Sequence, residues 1–215
     1  MGSFESRAQR VGHLSFPKFS GLRIMHMPFS TRHVRQSLNG IAEQYFDIVN
    51  TLVVWGAYKQ ADVAYVTIDE AVVEKGTNHR RPGLHVDGVG PDGRAGGWGG
   101  GGGWGANGMM TVSSSAGCVA YDLDVKGWPK ANGDCEHLRD QMGEGRVLMP
   151  GDVYWFSPLT VHESIPAQET GPRQFVRVSA PSRCPWYEGY TRNPNGVQPM
   201  GPIHPARTEF MEYRP

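Results

Sequence analysis

The chain has 215 residues with 21 Lys and Arg against 21 Asp and Glu, and 39% of it is hydrophobic. That is enough to bury one large core, and it lacks the basic surplus of a binder that works by neutralising phosphates. The 29 glycines and 16 prolines, about a fifth of the chain against roughly 12% in average usage, exclude a helical bundle and call for many turns.

The first predicted element is a helix over 31–52. Ser30 and Thr31 offer N-caps, and Val34, Leu38, Ile41, Ala42, Tyr45, Phe46, Val49 and Leu52 recur at spacings of three and four. From 62 onward the residues favour strands. Runs at 62–73, 84–87, 118–123, 146–149, 153–156, 161–165 and 174–180 are bounded by Pro or Gly. A second helix is expected over 134–142, and the proline-rich tail from 181 reads as irregular wrapping. Short strands with turns between them predict a sandwich or barrel. No repeat or linker divides the chain, so 1–215 is expected to be one domain. It would consist of an N-terminal segment with a support helix at 1–60, a β core at 61–182 and an irregular C-terminal wrap at 183–215. Cys118, Cys135 and Cys184 are too scattered for a disulfide framework or zinc finger. With no apolar run near the ~20 residues of a membrane span, a soluble, cytoplasmic protein is expected.

The segment 88–108 holds twelve glycines in twenty-one residues. Gly88, Gly90 and Gly93 have the spacing of a dinucleotide-binding fingerprint, but that fingerprint requires a helix to begin there. A run of glycines, each costing about 1 kcal/mol against alanine, cannot supply one. What remains is a loop carrying Trp98 and Trp104, either an insertion or an active-site lid.

Chemistry concentrates around that loop. His85 and Asp87 stand two apart, so on a strand they face the same way and can offer nitrogen and oxygen to one metal ion. A third ligand is available in His162, seventy-seven residues on, after the tight turn Pro150-Gly151-Asp152. Two histidines and a carboxylate form the facial triad that leaves positions open on non-haem Fe(II). Further along, Phe175, Arg177 and Ser179 share one strand face and Val176 and Val178 the other. An Arg facing inward requires an anion. Arg173, eleven positions after His162, is the alternative to Arg177 at fifteen.

In this order, His-x-Asp, His, Arg-x-Ser, the sequence resembles the Fe(II)/2-oxoglutarate-dependent oxygenases over roughly 62–182. The resemblance implies a double-stranded β-helix, that is, a jelly-roll or cupin-like barrel with flanking helices. It also implies iron at His85, Asp87 and His162, and the far carboxylate of 2-oxoglutarate at Arg177 with Ser179, or at Arg173. The implied activity is that of a dioxygenase: 2-oxoglutarate is decarboxylated with O2 and a C–H bond of a small-molecule or side-chain substrate is hydroxylated. Trp98 and Trp104, just after Asp87, would then close over the substrate as a lid. Two other classes share these ligands. One is a non-catalytic cupin-like metal or ligand binder, which needs no inward Arg. The other is a zinc hydrolase, which needs a base such as Glu163 or Asp69. Neutral charge makes a nucleic-acid substrate the less expected one, and His79 is a further residue near the ligand strand.

Overall fold

The computed structural model describes residues 2–87, 108–130, 133–180 and 186–205. The fold is mostly β, with antiparallel sheets and few helices. Strands β1 (Ser3–Ser6), β2 (Ala8–His13) and β3 (Arg23–Ser30) precede two helices, α1 (Val34–Leu38) and α2 (Phe46–Trp55). Then follow β4 (Val63–Val73), β5 (Met109–Ser113), β6 (Cys118–Tyr121) and β7 (Leu123–Lys126). After them come β8 (Arg146–Val147), β9 (Asp152–Phe156), β10 (Val161–Ser164) and β11 (Gly171–Ser179). Six strands form one sheet in the order β2-β9-β5-β11-β4-β3, and three form a second in the order β10-β6-β8. The 84–87 segment extends the second sheet through a bridge from His85 to His162. Among the described residues the sheets are bonded separately and do not close into one barrel.

The alternation of β11 divides core from cavity. Val176 and Val178 join Ile48, Val49, Leu52 and Val53 of α2 in the main apolar core, while Arg173, Phe175 and Arg177 point to the opposite side, as a period of two requires. The same rule acts at 84–87. Leu84 and Val86 enter a second core with Val125, Leu138 and Val161, and His85 and Asp87 are turned to the cavity.

Four expectations require correction. The helix over 31–52 is interrupted, because Gly40 adopts φ +72° after α1, a left-handed conformation that ends helices. The chain resumes as a 3₁₀ turn at Glu43–Tyr45 and then α2. Thr31 does not cap α1, since its hydroxyl donates to the Ala61 carbonyl. The 134–142 helix is a 3₁₀ helix, Glu136–Gln141. The tail is not wholly irregular, because β12 (Trp186–Tyr187) and β13 (Ile203–His204) pair in parallel. Among the described residues no helix is long and apolar enough to cross a membrane.

One buried carboxylate fastens the helical layer to the large sheet. Glu70 of β4 accepts from Tyr45 Oη and Gln174 Nε2 on one oxygen, and from Ser20 N, Ser20 Oγ and Leu22 N on the other. Burial alone would raise its pKa, but the bonds from Tyr45, Leu22 and Ser20 bring it down from 4.5 to about 2. A depressed carboxyl stabilises the fold above its unfolded pKa and loses that contribution as pH falls toward the folded value. Glu70→Gln should therefore cost on the order of 2 kcal/mol at neutral pH. In denaturant titrations the difference from wild type should shrink between pH 4.5 and pH 2.

Candidate metal centre

His85 and His162 form an antiparallel bridge in which each backbone N–H donates to the other's carbonyl, at 3.0 and 2.9 Å. Their rings therefore stand on one side of the sheet, with centroids 4.4 Å apart. Each Nδ1 is spent on a backbone carbonyl, Gly83 O at 2.7 Å for His85 and Thr160 O at 2.9 Å for His162. A carbonyl only accepts, so Nδ1 carries the proton in both rings and each Nε2 presents its lone pair. This arrangement fixes the tautomer of metal-ligating histidines in general.

Asp87 completes the group. Its Oδ1 lies 3.9 Å from His85 Nε2 and its Oδ2 3.9 Å from His162 Nε2. One donor atom from each of the three residues lies within 4.8 Å of the others, and all three residues are buried. Burial, reinforced by the neighbouring His162, pushes His85 down to about 3, and burial also lowers His162. Burial would raise the Asp87 carboxyl, but the Arg177 charge and then the two imidazoles hold it at about 2. Two neutral imidazoles and one carboxylate, all with open lone pairs, are the donor set that a divalent cation takes.

The triad opens into a cavity of about 580 Å³ between the two sheets, lined also by Arg23, Asp69, Arg80, Arg173, Phe175 and Tyr190. Arg177 and Arg173 both reach it, in different states. Arg177 Nη1 donates to Asp87 Oδ2 at 2.8 Å. Arg173 is 5% exposed, donates through Nε to Ser113 Oγ at 3.0 Å, and has no carboxylate partner among the described residues. Burial lowers its pKa to about 10. Gly117 makes room for it, since a Cβ there would stand 2.6 Å from its Cζ and Nη1.

Ser179 is not on the cavity wall. Its Oγ is enclosed without a hydrogen-bond partner among the described residues. Parity places it on the face of Arg177, but one more pair along β11 carries it beyond the open space. Glu163, on the opposite face of β10 from His162, is bound by Tyr121 at 2.6 Å and by Arg139 at 2.9 Å. Trp98 and Trp104 lie outside the described residues. His79 does line the cavity. Sequence reasoning missed Arg23, Arg80 and Tyr190. The first of these could be found only by knowing that β3 and β4 pair Arg23 with Asp69.

No family model matches the sequence, and no curated protein matches it. Among solved structures the chain is similar to AviO1 from Streptomyces viridochromogenes Tue57, at 14% identity over 82% of this chain and 77% of that one, with a TM-score of 0.39.

A divalent cation that binds only the folded triad should stabilise the protein by about 2.7 kcal/mol at a hundredfold excess over its Kd. A thermal melt with Mn(II) or Zn(II) should show this as a rise in Tm that EDTA reverses. The double variant His85→Ala/His162→Ala should show no such rise.

Proposed function

We infer that the protein is a non-haem Fe(II)- and 2-oxoglutarate-dependent oxygenase. The observation that carries this reading is the combination of an open His-Asp-His donor set with a buried guanidinium that has no carboxylate partner among the described residues, both on one cavity. Strand order supports it. The four large-sheet strands β9-β5-β11-β4 interleave, through the chain, with the 84–87 segment, β6, β8 and β10 of the small layer, and only β6 and β8 follow one another without a large-sheet strand between them. Two interleaved four-membered layers are what a double-stranded β-helix would give, with the triad at one end of the small layer.

His85, Asp87 and His162 would hold the iron, which when bound supplies activation of O2. The overall balance is substrate R–H, 2-oxoglutarate and O2 giving R–OH, succinate and CO2. The chain's own residues then have distinct tasks. Arg177 holds Asp87 Oδ2 and so orients the carboxylate toward the imidazoles. Arg173, braced by Ser113 and seated against Gly117, is left to bind the far carboxylate of 2-oxoglutarate through its terminal nitrogens. This moves the clamp from Arg177 and Ser179, which the Arg-x-Ser pattern favours, to Arg173, because Arg177 is already engaged. A zinc hydrolase is the weaker reading, since neither base available to it is free. Glu163 is tied to Arg139 and Tyr121 on the other strand face, and Asp69 is tied to Arg23 and Arg80. A cupin-like binder without chemistry leaves unexplained an Arg173 with no carboxylate partner among the described residues.

The test is anaerobic reconstitution with Fe(II) followed by exposure to O2 and measurement of succinate. Production that requires both iron and 2-oxoglutarate is expected, and no binding of 2-oxoglutarate to the metal-loaded protein would overturn the reading. Arg173→Gln should weaken 2-oxoglutarate by about tenfold or more, the loss of a charge-assisted pair, with metal affinity unchanged. Gly117→Ala, which keeps the charge and displaces it, should act in the same direction. Arg177→Met should instead weaken the metal.

A further inference from the structure

The cavity carries more cationic charge than the metal centre and its cosubstrate use. Four guanidiniums, those of Arg23, Arg80, Arg173 and Arg177, face two carboxylates, Asp69 and Asp87. Arg81 and Glu188, also on the wall, add one charge of each sign, and Asp152 is matched from outside by Arg10 at 2.6 Å. A divalent ion at the triad and a dianionic cosubstrate would cancel each other and leave that surplus standing.

The surplus is localised. Cross-strand register places Arg23, Asp69, Phe175 and Ser113 in one row over β3, β4, β11 and β5. Asp69 is 3% exposed and serves two cations, accepting from Arg23 Nε at 3.1 Å and from Arg80 Nη1 at 2.7 Å, with His79 Nε2 at 3.6 Å. Burial opposes its ionisation, yet His79 and Arg80 hold it well below the usual carboxylate range. One carboxylate neutralises one guanidinium, so the second is unmatched. The remaining donors of Arg23 and Arg80 make no hydrogen bond among the described residues. Both side chains stay accessible, at 51% and 23% exposure. Arg80 lies 5.1 Å over the Phe175 ring.

Phe175 separates this cluster from Arg173. Arg173 leans to the β5 side, where it bonds Ser113. Arg23 and Arg80 lean to the β4 side over Asp69. Three strand spacings, about 14 Å, separate the ends of the row. Those ends are Arg23 and Ser113; Arg80 and Asp69 lie close enough to Arg173 to act on its charge, so the two seats are adjacent and are told apart by the sides to which they lean.

We propose that the Arg23–Asp69–Arg80 cluster binds the anionic group of the substrate, a small organic acid carrying a carboxylate or phosphate, whose apolar body lies along Phe175. Asp69 is the buttress that presents both guanidinium edges, and Arg23 and Arg80 make the charge-assisted contacts. The word substrate rests on the oxygenase reading; the anion seat itself does not.

Calorimetry on the full chain loaded with Mn(II), under nitrogen, tests both separately with phenyl phosphate, phenylacetate, benzyl alcohol and 2-oxoglutarate as probes. At least one of the two acids should bind about tenfold or more tighter than benzyl alcohol, with 2-oxoglutarate already present. Arg23→Gln and Arg80→Gln should each weaken that acid about tenfold and leave 2-oxoglutarate within about twofold, and Arg173→Gln should do the reverse. Should Arg80→Gln fail to fold, Arg23→Gln, whose side chain is half exposed, decides alone. Acid binding that 2-oxoglutarate displaces, that ignores Arg23→Gln, or that benzyl alcohol equals would overturn the proposal. Acid binding that depends on Arg23 in a protein blind to 2-oxoglutarate would support the seat and sink the oxygenase reading instead.

Discussion

The buried pair of Arg177 and Asp87 is the constraint around which the cavity is organised. Arg177 is 4% exposed and Asp87 8%, one in the middle of the large sheet and the other on the edge segment of the small one. A charge removed from water costs several kcal/mol unless it is matched, so each residue requires the other and the two layers are held at the distance of a 2.8 Å contact. The same bond fixes the rotation of the Asp87 carboxylate, and with it the side presented to the two imidazoles.

Everything else on the cavity wall follows from how β11 distributes its alternate residues. Its valines close the core against α2, so its polar positions face inward between the sheets, where Arg173 meets no acid among the described residues. Such a group lowers the stability of the empty protein and favours any anion that enters. Sites that act on ligands are where chains retain costs of this kind. Asp69 applies the opposite principle. It is saturated by Arg23 and Arg80, and its own charge is unavailable to a ligand while theirs remains in part unspent.

Local parity was legible in the sequence, and contact between layers was not. His85 and Asp87 share a face because they are two apart, and the Val176/Val178 alternation orients β11 without reference to any other strand. Which arginine meets Asp87 depends on how two sheets stack, and no sequence spacing encodes that. The N-terminal strands were missed for separate reasons. β2 is a mostly exposed edge with polar residues. β3 is broken by a register shift between Ile24 and Met27, with His26 at φ +48°, and contains Pro28. The helix over 31–52 looked continuous because Ala42 and Tyr45 enter the same core as Leu38, even though Gly40 ends the first helix. The glycine-rich segment between Asp87 and Gly108, with Trp98 and Trp104, lies outside the described residues.

The bridge between His85 and His162 has a consequence for how the sequence can vary. The spacing of the two imidazoles is set by a pair of main-chain hydrogen bonds, not by the side chains packed behind them. Exchange of Leu84, Val86 or Val161 for another apolar residue alters bulk in the second core and leaves that spacing intact. Insertion or deletion of one residue between Gly83 and Asp87 shifts the bridge by one position and turns ligand atoms toward the apolar side. The centre therefore tolerates change in composition around it and none in length through it.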